Sequence, residues 1–310
     1  MYDMKKAALR KLFSALAFLI SLAYLYKSVD FKELALAISE ANYGYLLLSL
    51  VLSIFTILLG TLRWYLILRK VQKASFRKTL QAFISGYYLM AILPPTLGHM
   101  AKVKLVGGDY FAALSSLALG MAAEVVVLLS FGLIFLGFTK LGLLGIAVIL
   151  VAFIYDKAFH RVALTFFKLW EDLGAKRIPK TLKEWWHRGY SGWKKAKESK
   201  TSFATVFLIS FAVIILQVFG LILVGKAFSL DISLKGAFYA FLMSVIFASL
   251  SGIPSGLGAN EFGILIGIGP STKGALTAFL YKFLFQYQYS IIGAFVFYKL
   301  LGGEHEGSAG

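Results

Sequence analysis

Apolar runs of bilayer length recur along the chain, and two of them are interrupted midway by prolines and glycines. Leu12–Tyr26 is the first run, short at 15 residues and flanked by lysines that can snorkel to the interfaces. No small-x-small cleavage site follows it, so it reads as a retained span rather than a signal peptide. Phe31–Ala41 sets Phe31, Leu34, Ala35 and Ile38 on one helical face, the pattern of a short helix lying at the interface. Tyr43–Leu62 is a full uncharged span that ends at Arg63-Trp64. Thr79–Val106 and Gly236–Pro270 are the two broken runs. Tyr110–Thr139, Leu141–Tyr155, Phe203–Gly225 and Ala275–Tyr298 supply further apolar segments, the last carrying Lys282 about two turns in.

The breaks share a pattern. Pro94-Pro95-Thr96-Leu97-Gly98 is matched by Pro254-Ser255-Gly256-Leu257-Gly258. Proline removes a backbone donor, and in lipid such a break is tolerated only where protein or a wet cavity shelters the freed groups. One proline in a membrane helix is usually a kink. Two interrupted segments in corresponding halves point to a transporter's binding site.

Composition fits a membrane protein. Of 310 residues 59% are hydrophobic, and the mean hydropathy is +0.78. The fold class expected is all-α, a polytopic helical bundle forming one membrane domain over residues 1–301, with a polar, flexible tail at 302–310. Cysteine is absent, and the four histidines are too scattered for a metal site, so neither thiol chemistry, metal nor cofactor is expected. The net charge of +17 sits largely at inner membrane junctions rather than marking a nucleic-acid partner.

Charge placement sets the topology. Arg69, Lys70, Lys73, Arg77 and Lys78 form one basic junction, and Asp156–Ser202 holds 12 Lys/Arg against 5 acids. Apolar residues recur through that loop at helical spacing, which predicts two amphipathic helices on the membrane face. Both basic regions fall on the cytoplasmic side only if Thr79–Val106 enters from that side and returns to it. Gly236–Pro270 must then enter from outside and return. The result is an inverted-topology repeat, about 43–139 and 203–300, carrying two oppositely oriented re-entrant broken-helix hairpins, with both termini in the cytoplasm of a multi-pass cell-membrane protein. All five tryptophans fall on the inner side as headgroup-level anchors.

A re-entrant hairpin brings a half-helix N-terminus to mid-membrane depth, where its dipole favours an anion. Thr96 and Ser255 offer hydroxyls there, and the tip glycines allow close approach. Lys102 shares a helical face with Gly98. Intramembrane charges cost roughly 2.5–3.5 kcal/mol each on insertion scales, so Lys102, Glu124, Glu261 and Lys282 each need a partner or a wet cavity. Mutual ion pairing is the structural reading of those four. For Arg63 and Lys104, snorkelling to the inner interface is the simpler account. His99 reads as a satisfied polar residue.

These motifs resemble the flippase-like transmembrane region of the lysylphosphatidylglycerol synthase/flippase family, over roughly Leu12 to Gly293. Arg63-Trp64 matches the family's Arg-Trp. Leu93-Pro94 through Gly98 matches L-P-x-x-x-G-E-x-x-R, with His99 in place of Glu and Lys102 in place of Arg. Pro254, Gly256, Gly258 and Glu261 match P-x-G-x-G-x-x-E, with Asn260 where Arg is common. Tyr281-Lys282 matches an aromatic-Arg pair of the final span. Gly120-Met121 replace a Glu-Arg pair, and Glu124 stands at the following Asp.

The resemblance implies translocation of an anionic or phosphate-containing lipid between leaflets, an aminoacyl-phospholipid or a polyprenyl-phosphate-linked sugar. The headgroup would be held by Pro94, Thr96, Gly98, His99, Lys102, Glu124, Pro254, Ser255, Gly256, Gly258, Asn260, Glu261, Tyr281 and Lys282. Its partners are membrane lipids with an anionic headgroup, a second copy in a homo-oligomer, and a separate lipid-modifying enzyme. The soluble aminoacyl-transferase region of full-length synthases has no counterpart here, which implies a transporter and not an enzyme. Two other classes compete: an intramembrane enzyme on a lipid phosphate or glycolipid, with Glu124, Glu261 and His99 as its only acid/base groups, and a solute transporter.

Overall fold

The computed structural model describes residues 30–93, 95–155 and 200–306, with scattered positions between 157 and 194. The expected span Leu12–Tyr26 and most of the two amphipathic loop helices lie outside the described residues. Every regular element among the described residues is helical. In chain order they are α1 (Phe31–Ser39), α2 (Tyr43–Val71), α3 (Phe76–Ile92), α4 (Pro95–Val106), α5 (Tyr110–Phe135), α6 (Thr139–Ile154), α7 (Lys200–Ala227), α8 (Leu234–Ser251), α9 (Ala259–Ile268), α10 (Thr272–Lys282) and α11 (Gln288–Glu306). A 3₁₀ turn, Pro254–Gly256, joins α8 to α9, and a π turn, Phe283–Tyr287, joins α10 to α11. Four helices, α2, α5, α7 (from Ala204) and α8, are long and apolar enough to cross a membrane. Their outer faces keep large side chains such as Leu47, Phe55, Leu208 and Leu250 exposed, as lipid contact requires. The chain is an all-α membrane protein.

Contacts divide the chain into two compact units. One takes the described residues of Met1–Thr61, Arg77–Leu105 and Ala212–Gly310, and so contains both broken hairpins. The other takes Leu62–Phe76 and Val106–Phe211.

In the first unit, both breaks fall where the prolines predict, and each returns the chain antiparallel to itself. Gly98 faces Met90 and Gly86 faces the Lys102 stem, so α4 runs back along α3. Across the second break, Gly256 faces Ala248 and Gly263 faces the Met243–Ser244 backbone. A Cβ on Gly263 would lie 2.6 Å from the Met243 carbonyl, so a small residue is what lets α8 and α9 meet backbone to backbone. α1 is capped by Asp30, whose carboxylate accepts from the Lys32 and Glu33 N–H groups. The Asp30 N–H in turn donates to Thr272 Oγ1 at 2.9 Å and ties α1 to α10. Ala37 of α1 is buried, while Leu36 and Ile38 stay exposed.

The second unit corrects three expectations. α2 does not end at Leu62 but continues to Val71, with Arg69 and Lys70 in its last turn. The helix passes through Arg63-Trp64 because both side chains are satisfied internally. Trp64 is 2% exposed and donates from Nε1 to Ser116 Oγ at 3.0 Å, so it is a core residue and not a headgroup anchor. Arg63 is likewise buried and does not snorkel. Around them Ile67, Leu119, Ala123 and Val206 form an apolar core. Asp109 caps α5 by accepting from Phe111 and Ala112. Within the basic loop, His160 stacks on Tyr190 at 3.8 Å and accepts from Trp186 Nε1.

Two further differences concern the last segment. The segment carrying Lys282 is not one uniform α-helix; α10 passes into α11 through one π turn, which absorbs an extra residue without interrupting the backbone ladder. The tail expected to be flexible from Gly302 is helical through Glu306, as an extension of α11.

Candidate functional site

The second tip gathers buried polar groups in the first unit. α8 ends at Gly252 in the left-handed region, and Ser255, Gly256 and Gly258 all take positive φ. For Gly256 and Gly258 that conformation is the reason glycine is present; Ser255 bears its strain as a non-glycine residue. Two amides hold it there. Asn260 Nδ2 and Gln286 Nε2 each donate to the Ser255 carbonyl at 2.7 Å. Ser244 Oγ donates to Asn260 Oδ1 at 3.0 Å, fixing that amide from α8. The loop is therefore clamped from α8, α9 and the π turn.

Glu261 sits in the first turn of α9 and turns back on its own helix start. Its Oε2 accepts the Gly258 N–H at 2.9 Å, and its Oε1 accepts the Tyr287 hydroxyl. It is 3% exposed. Lys282 is 8% exposed. No ion pair or hydrogen bond to the Lys282 amine occurs among the described residues. Tyr281 is wholly buried against Phe285, ring centroids 4.8 Å apart, and its hydroxyl lacks a hydrogen-bond partner among the described residues. The π turn matters to this arrangement. It contributes two neighbouring residues to the tip, Gln286 donating to the Ser255 carbonyl and Tyr287 to Glu261.

The first tip is built differently. Pro94 lies outside the described residues, as do the side chains of Pro95 and Thr96. Gly98 is buried against Met90, whose Cα would be 2.8 Å from an added Cβ, so this glycine admits the facing helix. His99 Nδ1 is buried with no hydrogen-bond partner among the described residues, against its reading as a satisfied polar group. Lys102 is 3% exposed; its stem lies along Gly86 and its amine stands 5.0 Å from the centroid of the Phe83 ring. That is a cation–π seat. Phe83 is nine residues before the end of α3, about 13 Å at 1.5 Å per residue. The Lys102 amine thus points away from the tip with which it was expected to share a phosphate.

Glu124 belongs to the second unit. It pairs with Arg63, Nη2 to Oε2 at 2.5 Å, and Arg63 Nη1 also donates to Ser210 Oγ at 3.0 Å. Its partner is neither lysine named for it. Of the predicted residues, the structure brings together Ser255, Gly256, Gly258, Asn260, Glu261 and Lys282. Sequence reading missed Gln286, Tyr287 and Ser244. The run Gln286-Tyr287-Gln288-Tyr289-Ser290 was the available signal: five hydrogen-bonding side chains in succession inside an apolar segment.

The polar run continues past the tip. Tyr289 shares a hydrogen bond with Ser53 of α2 at 2.9 Å, and Gln288 donates to the same hydroxyl. Ser290 donates to the Tyr87 carbonyl of α3. Each such group would be expensive in hydrocarbon alone.

Residues 12–293 match the family described as the lysylphosphatidylglycerol synthase TM region. No curated protein matches the chain.

Proposed function

The chain belongs to the lysylphosphatidylglycerol synthase TM-region family, and we propose on that premise that it carries a phosphate-bearing anionic lipid between membrane leaflets. One observation carries the reading: a charged and amide-rich cluster, Asn260, Glu261, Lys282, Gln286 and Tyr287, is enclosed at a broken hairpin of an otherwise apolar protein. Ionisable groups in a membrane interior are costly and mark substrate or ion paths. The lipid tails stay in the bilayer while the headgroup passes the tip.

The lengths of the two returning helices support re-entry. α4 has 12 residues and α9 has 10, about 18 and 15 Å long. Neither crosses a hydrocarbon core of about 30 Å. Each hairpin on this reading dips in and returns, the first from the cytoplasm and the second from outside, in an inverted repeat. The basic regions at Arg69–Lys78 and Asp156–Ser202 then lie in the cytoplasm with both termini.

The test uses proteoliposomes containing the purified chain and a headgroup-labelled phosphatidylglycerol, with an impermeant quencher added outside. Inner-leaflet label becomes accessible, with or without a proton gradient, while an entrapped soluble dye is retained. Label that remains confined to its leaflet in both conditions removes the lipid-translocation reading. Escape of the dye replaces it with a solute pore.

A further inference from the structure

We propose that His160 and Trp186 form a pH-sensitive latch in the basic loop, closed while the imidazole is neutral and released when it takes up a proton. The latch belongs to the second unit, whereas both hairpins belong to the first. An indole N–H can only donate. Trp186 Nε1 meets His160 Nδ1 at 3.0 Å, with the two ring planes 4° apart, so Nδ1 is the acceptor. A ring nitrogen that accepts carries no proton, which fixes the imidazole as the neutral form with its hydrogen on Nε2. Protonation turns Nδ1 into a donor that faces a donor. A flip of the ring is no remedy, because it sets a carbon where Nδ1 stood.

The surroundings set how well a charged ring is tolerated. Tyr190 stacks on His160 at 3.8 Å and would attract a cation through its face. Against that stand the basic groups. His187 meets the ring edge-on at 5.7 Å and titrates in the same range, and Lys157 and Arg161 lie on the segment of His160 itself. Residues 186–190 pack on α5, which presents Phe111 and Ser115 there. The titratable groups at that end of α5 are Asp109, engaged in capping the helix, and Tyr110, edge-on to Phe111.

The two sides of the latch are held unequally. Ser115 Oγ donates to the Gly189 carbonyl at 2.8 Å, and the Arg188 guanidinium stands 5.9 Å from the centroid of the Phe111 ring. Neither contact titrates near neutral pH, so the Trp186 segment stays on α5 while the His160 segment comes away. The bond is present above the ordinary imidazole range, about pH 6.5, and is lost as pH falls through it.

The test places spin labels at Thr165→Cys and Lys194→Cys, both exposed, and reads their separation by pulsed electron resonance on the full chain in detergent at pH 8 and pH 5. The parent should show one short distance at pH 8 and a longer one at pH 5, the ratio of long to short rising about tenfold, the scale of one hydrogen bond. His160→Gln keeps an acceptor oxygen that cannot titrate and should hold the short distance at both pH values, while His187→Gln should respond as the parent does. Trp186→Phe lacks the donor and should show the longer distance at pH 8 as well. An unchanged distance in the parent overturns the inference, and so does a pH response that survives His160→Gln or disappears in His187→Gln. Should His160→Gln not fold, Trp186→Phe decides: a parental pH response there overturns the inference too.

Discussion

Arg63 and Glu124, 61 residues apart in sequence, form an ion pair whose two halves are unequally enclosed: the arginine side chain is 7% exposed and the carboxylate 32%. That asymmetry makes the two single substitutions unequal. Glu124→Leu strands a buried guanidinium with only Ser210 for company and should cost about 3 kcal/mol. Arg63→Met leaves the less enclosed partner, the carboxylate, and should cost about half as much. The double variant should cost less than the sum, with a coupling of about 1 kcal/mol or more. Thermal unfolding of the four proteins in one detergent measures the cycle; strict additivity would mean the pair contributes nothing.

Much of this fold was legible because the bilayer imposes coarse rules. Apolar length marked α2, α5 and α7, and proline with glycine marked both breaks to within a few residues. What escaped was pairing. A charge such as Arg63 reads as the end of a span, and only the arrival of α5 and α7 beside it supplies the Glu124 and Ser210 that let α2 continue. Lys102 illustrates the same gap. Its spacing from Gly98 put both on one face, which holds, yet the direction of its long side chain depended on Gly86 and Phe83 of the facing helix. The π turn has no sequence signature at all, so Gln286 and Tyr287 could not be placed on the second tip from periodicity.

The hairpin glycines should behave as packing residues. Gly263→Leu and Gly98→Leu each drive a side chain into the backbone of the facing helix, at Met243 and Met90 respectively. Each should lose about 2–3 kcal/mol. Gly145→Ala, whose Cβ would meet only Ser130 Oγ at 3.6 Å, should be harmless. Melting temperatures in detergent decide this, and tolerance of leucine at Gly263 would show that α8 and α9 separate readily.

Topology is open to direct labelling, because the chain has no cysteine of its own. Lys194→Cys lies in the basic loop and Lys273→Cys at the start of α10. With the two hairpins re-entrant, an impermeant maleimide should reach these positions from opposite sides of sealed vesicles. Labelling from the same side would sink the inverted arrangement while leaving the helical fold untouched.

The seat of Lys102 gives the last prediction. Its amine lies over the Phe83 ring, about 13 Å along α3 from the first tip, and its stem runs past Gly86. On the proposed lipid route, Lys102 would meet the headgroup along α3 rather than at that tip. Lys102→Met should slow lipid translocation about tenfold, the scale of one charge-assisted hydrogen bond to phosphate. Phe83→Leu removes the ring that positions the ammonium and should slow it a few-fold, in keeping with about 0.5–2 kcal/mol for a cation–π contact. Lys104 is exposed on another face of α4, so Lys104→Met should transport at the parental rate. The measurement is the quencher assay on proteins first shown to melt at the parental temperature. If Lys104→Met slows transport as much as Lys102→Met does, the effect is one of general surface charge and the buried lysine has no special part in it.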